Sequence, residues 1–375
     1  MKFKLSSAAL SSRLSILSKV LGSKNVTLTL DCFLFEINGQ QLTVTASDGE
    51  NLMRTTLPLD EADEDISFLV SARTMTDSLR ELPEQPVAIT VDLEALTITV
   101  DYLNGHYNFT VLRADEYRPI EIDPTTEREL FAIESSVLSD NLTRTIFAAA
   151  SEELRPVMNG VYFDLRADAL AIVASDGHKL VRNRIFSITT DTPTAFVMPK
   201  KPATLLKTVL PHDETTVNVS YDGKMAMLVF GDTMLLCRLI EGRYPDYNAV
   251  IPQDNPNELS ADRLALLGAM RRVTPFTPSN AQLVRMKLEP NKISLKSEDF
   301  DFYIRAVEEL VCDYLGTPMA IGFKGGSFID ILSNMACDQV RLEMADPSRP
   351  TLILPEEQPE GQEVVMLIMP MLLND

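Results

Sequence analysis

The sequence has no tryptophan and only three histidines in 375 residues. His106, His178 and His212 fall at no metal-ligand spacing, and neither H-x-x-x-H nor H-E-x-x-H occurs. Metal-assisted hydrolysis therefore lacks its usual ligands. The four cysteines, Cys32, Cys237, Cys312 and Cys337, are far apart and make no C-x-x-C pair. That spacing fits reduced thiols in a cytoplasmic protein better than a disulfide framework. No apolar run is long enough to span a bilayer. The opening Met1-Lys-Phe-Lys-Leu-Ser-Ser-Ala-Ala-Leu10 lacks the unbroken apolar stretch of a secretory signal and reads as a short strand running into a helix.

Acid is absent locally but not overall. The net charge is −20, which ordinarily argues against a polyanionic partner. Yet Met1–Leu30 contains no Asp or Glu, only Lys2, Lys4, Arg13, Lys19 and Lys24. Thr192–His212 is again free of acid and holds Lys200, Lys201 and Lys207; so is Arg263–Leu288, with Arg271, Arg272, Arg285 and Lys287. One such window is ordinary on a solvated face. Three at similar places in a repeat call for a shared cause.

With 45% hydrophobic residues the chain can bury a large core, and its length suits two or three domains. A repeat is visible. Val44-Thr-Ala-Ser-Asp-Gly-Glu-Asn-Leu-Met-Arg54 matches Ile172-Val-Ala-Ser-Asp-Gly-His-Lys-Leu-Val-Arg182, and Phe68-Leu-Val-Ser-Ala-Arg73 matches Phe196-Val-Met-Pro-Lys-Lys201. The offsets agree: 175 minus 47 and 196 minus 68 are both 128. Ala320-Ile-Gly-Phe-Lys-Gly-Gly326 marks a fainter third copy, again a short apolar strand before a helix. The joining segment recurs as Leu112–Pro119 and Leu239–Pro245. Pro-rich polar stretches near Asp123–Glu129 and Gln253–Glu258 suggest domains at 1–123, 129–253 and 256–375.

Each copy has the same grammar. A first helix carries Leu10, Leu14, Leu17 and Leu21, or Leu138, Leu142 and Ile146, or Leu266, Met270 and Val273. Strands such as Gln41–Ser47 and Leu170–Ser175 follow, with turns at Asp48-Gly49 and Asp176-Gly177. A second helix carries Met75, Leu79 and Leu82, or Leu205, Leu206 and Val209, or Phe328, Ile331, Leu332 and Met335. The expectation is an α+β protein of three repeated domains, each with two helices packed on antiparallel sheets. Basic residues lie on or beside the helices, while acids gather in segments such as Asp60–Asp65 and Glu356–Glu363. If the helices share a side, that side is positive.

These features together resemble the beta subunit of bacterial DNA polymerase III holoenzyme, the sliding clamp, across the whole chain. The carriers are Met1-Lys-Phe, Leu21-Gly22, Ser175-Asp-Gly-His-Lys-Leu180, Glu241-Gly-Arg-Tyr-Pro-Asp-Tyr247 and Met369-Pro-Met371. The resemblance implies a non-catalytic accessory subunit without cofactor or metal. Two chains would close head to tail into a ring around duplex DNA, the helices lining the hole. It implies a pocket for short peptides of the polymerase III alpha subunit, the clamp loader, other polymerases and mismatch-repair proteins. The matching positions are Met158, Ser175, Gly177, His178, Lys179, Leu180, Pro245, Val250, Leu367, Ile368, Met369, Pro370 and Met371. Lys24, Arg73, Lys200 and Lys201 would face DNA, and Tyr107 and Phe276 would lie near the dimer seam. The chain departs from the family at Lys179, where arginine is common, at Leu372, a commonly basic position, and at Pro156-Val157, aromatic in some relatives.

Blander and sharper readings compete at several of these residues. His178 beside Asp176 could be a general base in a hydrolase, but such a site needs a nucleophile or a metal as well. A hairpin turn explains Ser-Asp-Gly without chemistry, since Asp48-Gly49 has no histidine. Gly322-Phe-Lys-Gly-Gly-Ser327 has the ingredients of a phosphate cradle but does not match G-x-x-x-x-G-K-[ST]. Met369-Pro-Met371 reads as a buried terminal strand, as an adaptable peptide-binding wall, or as both. A peptide scaffold that never meets DNA is a third possibility, and the basic windows count against it. The basic helices carry no interleaved aromatics, so sequence-specific reading of bases is not expected.

Overall fold

The structure is a computed structural model that describes residues 1–22, 27–118, 120, 129–151 and 155–373. Six helices are present among the described residues: α1 (Ser7–Leu17), α2 (Ala72–Arg80), α3 (Ser135–Thr145), α4 (Lys200–Val209), α5 (Arg263–Val273) and α6 (Gly325–Ser333). In each case a strand runs directly into the helix, and at α1, α2 and α5 the strand's last residue caps it. The Ser6 hydroxyl accepts from the Ala9 amide at 3.0 Å, and the Asp262 carboxylate from the Ala265 amide at 2.7 Å. Leu10, Leu14 and Leu17 on α1 are fully buried, as are Leu266, Met270 and Val273 on α5. Truncating any of these to alanine should cost about 2–5 kcal/mol. Leu21, Leu82 and Met335 lie past the ends of their helices, so the apolar period outruns the helical backbone by a turn.

The chain divides into two compact units: Met1–Ser139 with Thr204–Leu239, and Asp140–Ala203 with Ile240–Asp375. The first is built on a 13-stranded antiparallel sheet. Its core includes Phe35 and Phe68, with ring centroids 5.3 Å apart. The second holds a 9-stranded and a 4-stranded sheet. Its main core gathers α5, α6 and the inward residues of their strands around Tyr314, Phe323 and Phe328.

These units cut through the middle repeat because of a pairing that recurs. The last strand of the second repeat, Thr233–Arg238, pairs with Asn51–Pro58 of the first, Leu236 opposite Leu52. The last strand of the third, Gln362–Ile368, pairs likewise with Lys179–Ile185 of the second, Leu367 opposite Leu180. Each sheet thus continues from one repeat into the next. The expected strands Gln41–Ser47 and Leu170–Ser175 are present with those bounds.

Candidate functional site

The Ser-Asp-Gly segments fold into hairpin turns held by their own side chains. The Ser175 hydroxyl donates to the Lys179 carbonyl oxygen at 2.9 Å and accepts from the Gly177 amide at 3.1 Å. Asp176 Oδ1 accepts from the His178 and Lys179 amides at 2.8 and 2.9 Å. Gly177 sits at φ +88°, a left-handed conformation that favours glycine. The loop is thereby fixed, and the residues after it are aimed by the strand Lys179–Ile185.

Beside this turn is a cavity of about 260 Å³. The turn and strand supply Ser175, Gly177, His178, Lys179 and Leu180, the closing segment of the second repeat supplies Pro245 and Val250, and the terminal segment supplies Leu367 and Met369; Met158 completes the set. The backbone of the terminal segment is tied to the turn, the Met369 amide donating to the His178 carbonyl at 2.8 Å. Ten of the thirteen pocket positions expected from sequence therefore line one cavity. Ile368, Pro370 and Met371 do not. Ile368 points the other way, into the α5–α6 core, because successive strand residues face opposite sides. Met371 instead bridges to Gly322, its amide donating to the Gly322 carbonyl at 2.8 Å.

Four lining residues were not among those expected: Arg155, Tyr244, Asp246 and Tyr247. Three of them lie in Glu241–Tyr247, the segment that had supplied only Pro245. Tyr244 stacks on Tyr162, ring centroids 4.5 Å apart and 3° from parallel, and Tyr162 meets Tyr247 edge-on at 6.1 Å. The Tyr247 hydroxyl donates to Asp164 Oδ2 at 3.0 Å. Burial and that neighbouring carboxylate hold the Tyr247 phenol well above its usual range, and burial does the same at Tyr244.

The rim is charged but internally paired. Lys179 Nζ lies 2.8 Å from Asp176 Oδ2 and 3.8 Å from Asp330 Oδ2, with little of its side chain exposed. Burial alone would raise the Asp176 carboxyl, but hydrogen bonds from the Lys179 side chain and the Lys179 and His178 amides outweigh it, holding the group below its usual value. Asp330 moves the other way, raised chiefly by burial. With both Asp176 oxygens engaged by backbone amides and Lys179, Asp176 is a turn-former here, bonded to the His178 amide. Among the described residues no group of three or more His, Cys, Asp or Glu is placed to hold a metal ion.

The remaining expected residues lie elsewhere. Arg73, on the first turn of α2, has a side chain 95% exposed, with Asp77 3.7 Å away. Lys200 and Lys201 open α4, whose first turn contains no acid. Tyr107 is half-buried against Tyr102, ring centroids 4.9 Å apart, and Phe276 follows α5 in a short 3-10 turn. Lys24 lies outside the described residues.

Models of the three domains of the DNA polymerase III beta subunit match in order, the N-terminal at residues 1–121, the central at 132–246 and the C-terminal at 248–372. The beta sliding clamp of Caulobacter vibrioides is 26% identical over 384 residues, covering 98% of this chain and 99% of that protein. That of Vibrio cholerae is 27% identical over 368 residues, covering 98% and 100%. The solved sliding clamp of Pseudomonas aeruginosa bound to griselimycin shares the fold with a TM-score of 0.93 at 24% identity, over 100% of both chains. The Bacillus subtilis sliding clamp does so with a TM-score of 0.91 at 23% identity, again over 100% of both.

Repeated domains and whole-length relatives define the class, the sliding clamps of DNA polymerase, accessory proteins without catalysis of their own. Within that class the chain belongs to the DNA polymerase III beta subunit family.

Proposed function

We propose that two copies of this chain close head to tail into a ring around duplex DNA, tethering the polymerase III alpha subunit and making synthesis processive. Support for closure comes from the sheet continuation between repeats. Each repeat's fourth strand receives the last strand of the next: Asn51–Pro58 takes Thr233–Arg238, and Lys179–Ile185 takes Gln362–Ile368. The third repeat's counterpart, Ile304–Val311, pairs among the described residues only with Lys292–Asp299. In the first repeat's last strand, Gly105–Arg113, Val111–Arg113 pair with Phe68–Val70, while Gly105–Thr110 pair only with Thr97–Tyr102 among the described residues. One unpaired donor edge and one unpaired acceptor edge per chain is the arrangement a heterologous, self-closing interface requires. Tyr107 lies on the first edge, and Phe276 follows the helix α5 that packs behind the second. We assign both to the seam, and the domains to 1–123, 129–253 and 256–375.

DNA contact is assigned to Lys24, Arg73, Lys200 and Lys201. Arg73, Lys200 and Lys201 stand at helix N-termini without acid in the first turn, where backbone amides also favour phosphate. Such contacts are loose and follow the backbone, as sliding demands. The 260 Å³ cavity is read as the docking site for apolar anchors of short peptides from the polymerase, clamp loader, other polymerases and mismatch-repair proteins. The docking set is Met158, Ser175, Gly177, His178, Lys179, Leu180, Pro245, Val250, Leu367 and Met369, the expected positions that line the cavity. Among the described residues no helix is long and apolar enough to cross a membrane, and a cytoplasmic site of action goes with a replication role. The test is retention on DNA: protein loaded on a closed circle should stay through a salt wash and leave once the circle is cut. Equal loss from closed and cut circles would sink the ring.

A further inference from the structure

The third repeat contains a cavity built from the same positions as the pocket of the second. The second-repeat pocket uses the residues five and two places ahead of the strand Gly160–Leu165, Arg155 and Met158, and the strand-end pair Ser175 and Gly177. The equivalent third-repeat strand is Leu283–Glu289. Gly160 faces Pro199 just before α4, as Leu283 faces Lys324 just before α6. Tyr162 faces Val173 as Arg285 faces Lys296. Counting from those anchors, the four equivalent positions are Pro278, Ala281, Glu298 and Phe300. All four line one cavity of about 590 Å³, which Leu283, Arg285, Lys296 and Leu373 complete.

The chemistry of the two cavities differs where the strands cross. Tyr162 and Val173 stand behind the first pocket; their counterparts here are the basic cross-strand pair Arg285 and Lys296, with a single acid, Glu298, ion-paired to Lys296, so the lining keeps a net positive charge. The apolar surface remains, with Leu283, Leu373 and Phe300, whose ring is 76% exposed. An apolar anchor suits that surface, and acidic flanking residues suit the basic pair. We infer that this cavity is a second docking site, for short peptides carrying an apolar anchor beside acidic residues.

This rests on reading the first cavity as a peptide pocket. Dimer closure would leave the second one usable. In the first pocket Leu367 and Met369 form a wall from the next repeat; by the repeat their counterparts would be Asn108 and Thr110 of a second copy, standing as the matching wall here. Their polar side chains suit a peptide backbone.

The test uses the full chain and a fluorescein-labelled peptide, Asp-Glu-Asp-Leu-Leu-Phe, with stoichiometry and affinity read by anisotropy titration. The wild type should bind two peptides per chain. Val250→Asp, at a half-exposed position of the first pocket, should remove one. Lys296→Glu, at a half-buried position ion-paired with Glu298, together with Phe300→Ser at an exposed one, should remove the other. Replacing the acids of the peptide by lysine should weaken only the site that survives Val250→Asp, by about tenfold, the worth of one charge-assisted contact. One peptide per chain, lost on Val250→Asp and untouched by the paired variant, would overturn the second site and leave the first standing. One peptide lost only in the paired variant would do the reverse. No binding at all would overturn both.

Discussion

Ser47 and Ser175 hold two separate turns with the same pair of hydrogen bonds. The Ser47 hydroxyl donates to the Asn51 carbonyl at 2.8 Å and accepts from the Gly49 amide at 3.1 Å, matching Ser175 with Lys179 and Gly177. Asp48 Oδ1 then accepts from the Glu50 and Asn51 amides as Asp176 Oδ1 does from His178 and Lys179. The duplicated motif is a turn, and the second copy has a pocket beside it. His178 occupies the position of Glu50, so the histidine is an addition to the turn, not a cause of it.

The turn's stability should depend on pH through Asp176. Its folded pKa lies below the ordinary carboxylate value, so the folded form holds its proton less tightly than the unfolded chain does. The contribution is therefore fully present above that value and is lost as pH falls through the lowered folded pKa. Asp330, raised in the fold, contributes with the opposite sign. Comparing wild type with Asp176→Asn isolates the first effect. At neutral pH the variant should be less stable by about 1.5–3 kcal/mol, the worth of a hydrogen bond to a charged group. Urea titrations at pH 7 and pH 3 should converge at the lower pH, and a constant gap would refute the assignment.

The repeat also fixes the register of the proposed seam. Leu69 pairs with Leu112, Val197 with Ile240 and Gly322 with Met371, which makes Leu112, Ile240 and Met371 equivalent. Leu236 and Leu367, each four residues earlier, face Leu52 and Leu180. The first-repeat counterpart is Asn108. On the receiving side Leu52 and Leu180 face Ser47 and Ser175, as Arg305 faces Glu298. Arg305 should therefore lie opposite Asn108 of a second copy. The double variant Asn108→Cys with Arg305→Cys should form interchain disulfides under mild oxidation, while Asn108→Cys with Glu309→Cys should not. Light scattering that finds a stable monomer at micromolar concentration would remove the seam altogether.

Local pattern carried much of this fold and little of its long-range pairing. The repeats, the strands Gln41–Ser47 and Leu170–Ser175 and the buried helix faces are legible because period and turn chemistry are local. That Gln362–Ile368 lies against Lys179–Ile185 is not, since nothing in either strand names the other. The site shows the same division. Period 2 alone separates Leu367 and Met369 from Ile368, and a strict reading of the terminal strand would have left Ile368 out. Tyr244 and Tyr247 carried no pocket signal beyond their place near Pro245; what marks them is a three-tyrosine packing visible only in the fold.

Retention on DNA should be topological, with weak, salt-sensitive contacts. Replacing Arg73, Lys200 or Lys201 singly by alanine should lower loading modestly and reduce the slope of log affinity against log salt by about one unit at most. Filter binding over a salt series measures this. If a single replacement abolished binding to closed circles, the protein would hold DNA by ordinary surface contact and not by enclosure.

The partner pocket makes the sharpest demand on its residues. The terminal segment supplies one wall through Leu367 and Met369, and Leu180 and Val250 supply the apolar floor. A fully buried Leu or Phe anchor there should contribute roughly 1.5–3 kcal/mol, so removing the wall should cost at least about tenfold in affinity. Deleting Met369–Asp375 should accordingly abolish binding of polymerase-type peptides while dimer and DNA retention persist, since neither proposed seam edge includes those residues. That deletion also takes Leu373 from the third-repeat cavity, so Val250→Asp is the cleaner variant for the first pocket alone. His178→Ala should weaken binding only several-fold: it trims the rim, leaves the floor, and leaves the Met369 amide bonded to a backbone carbonyl that the substitution retains. A hydrolase built on Asp176 and His178 would instead lose a turnover activity with this change and keep its peptide affinity. Titration of a labelled peptide against the three variants separates these outcomes, and unchanged affinity in the truncated chain would place the pocket elsewhere.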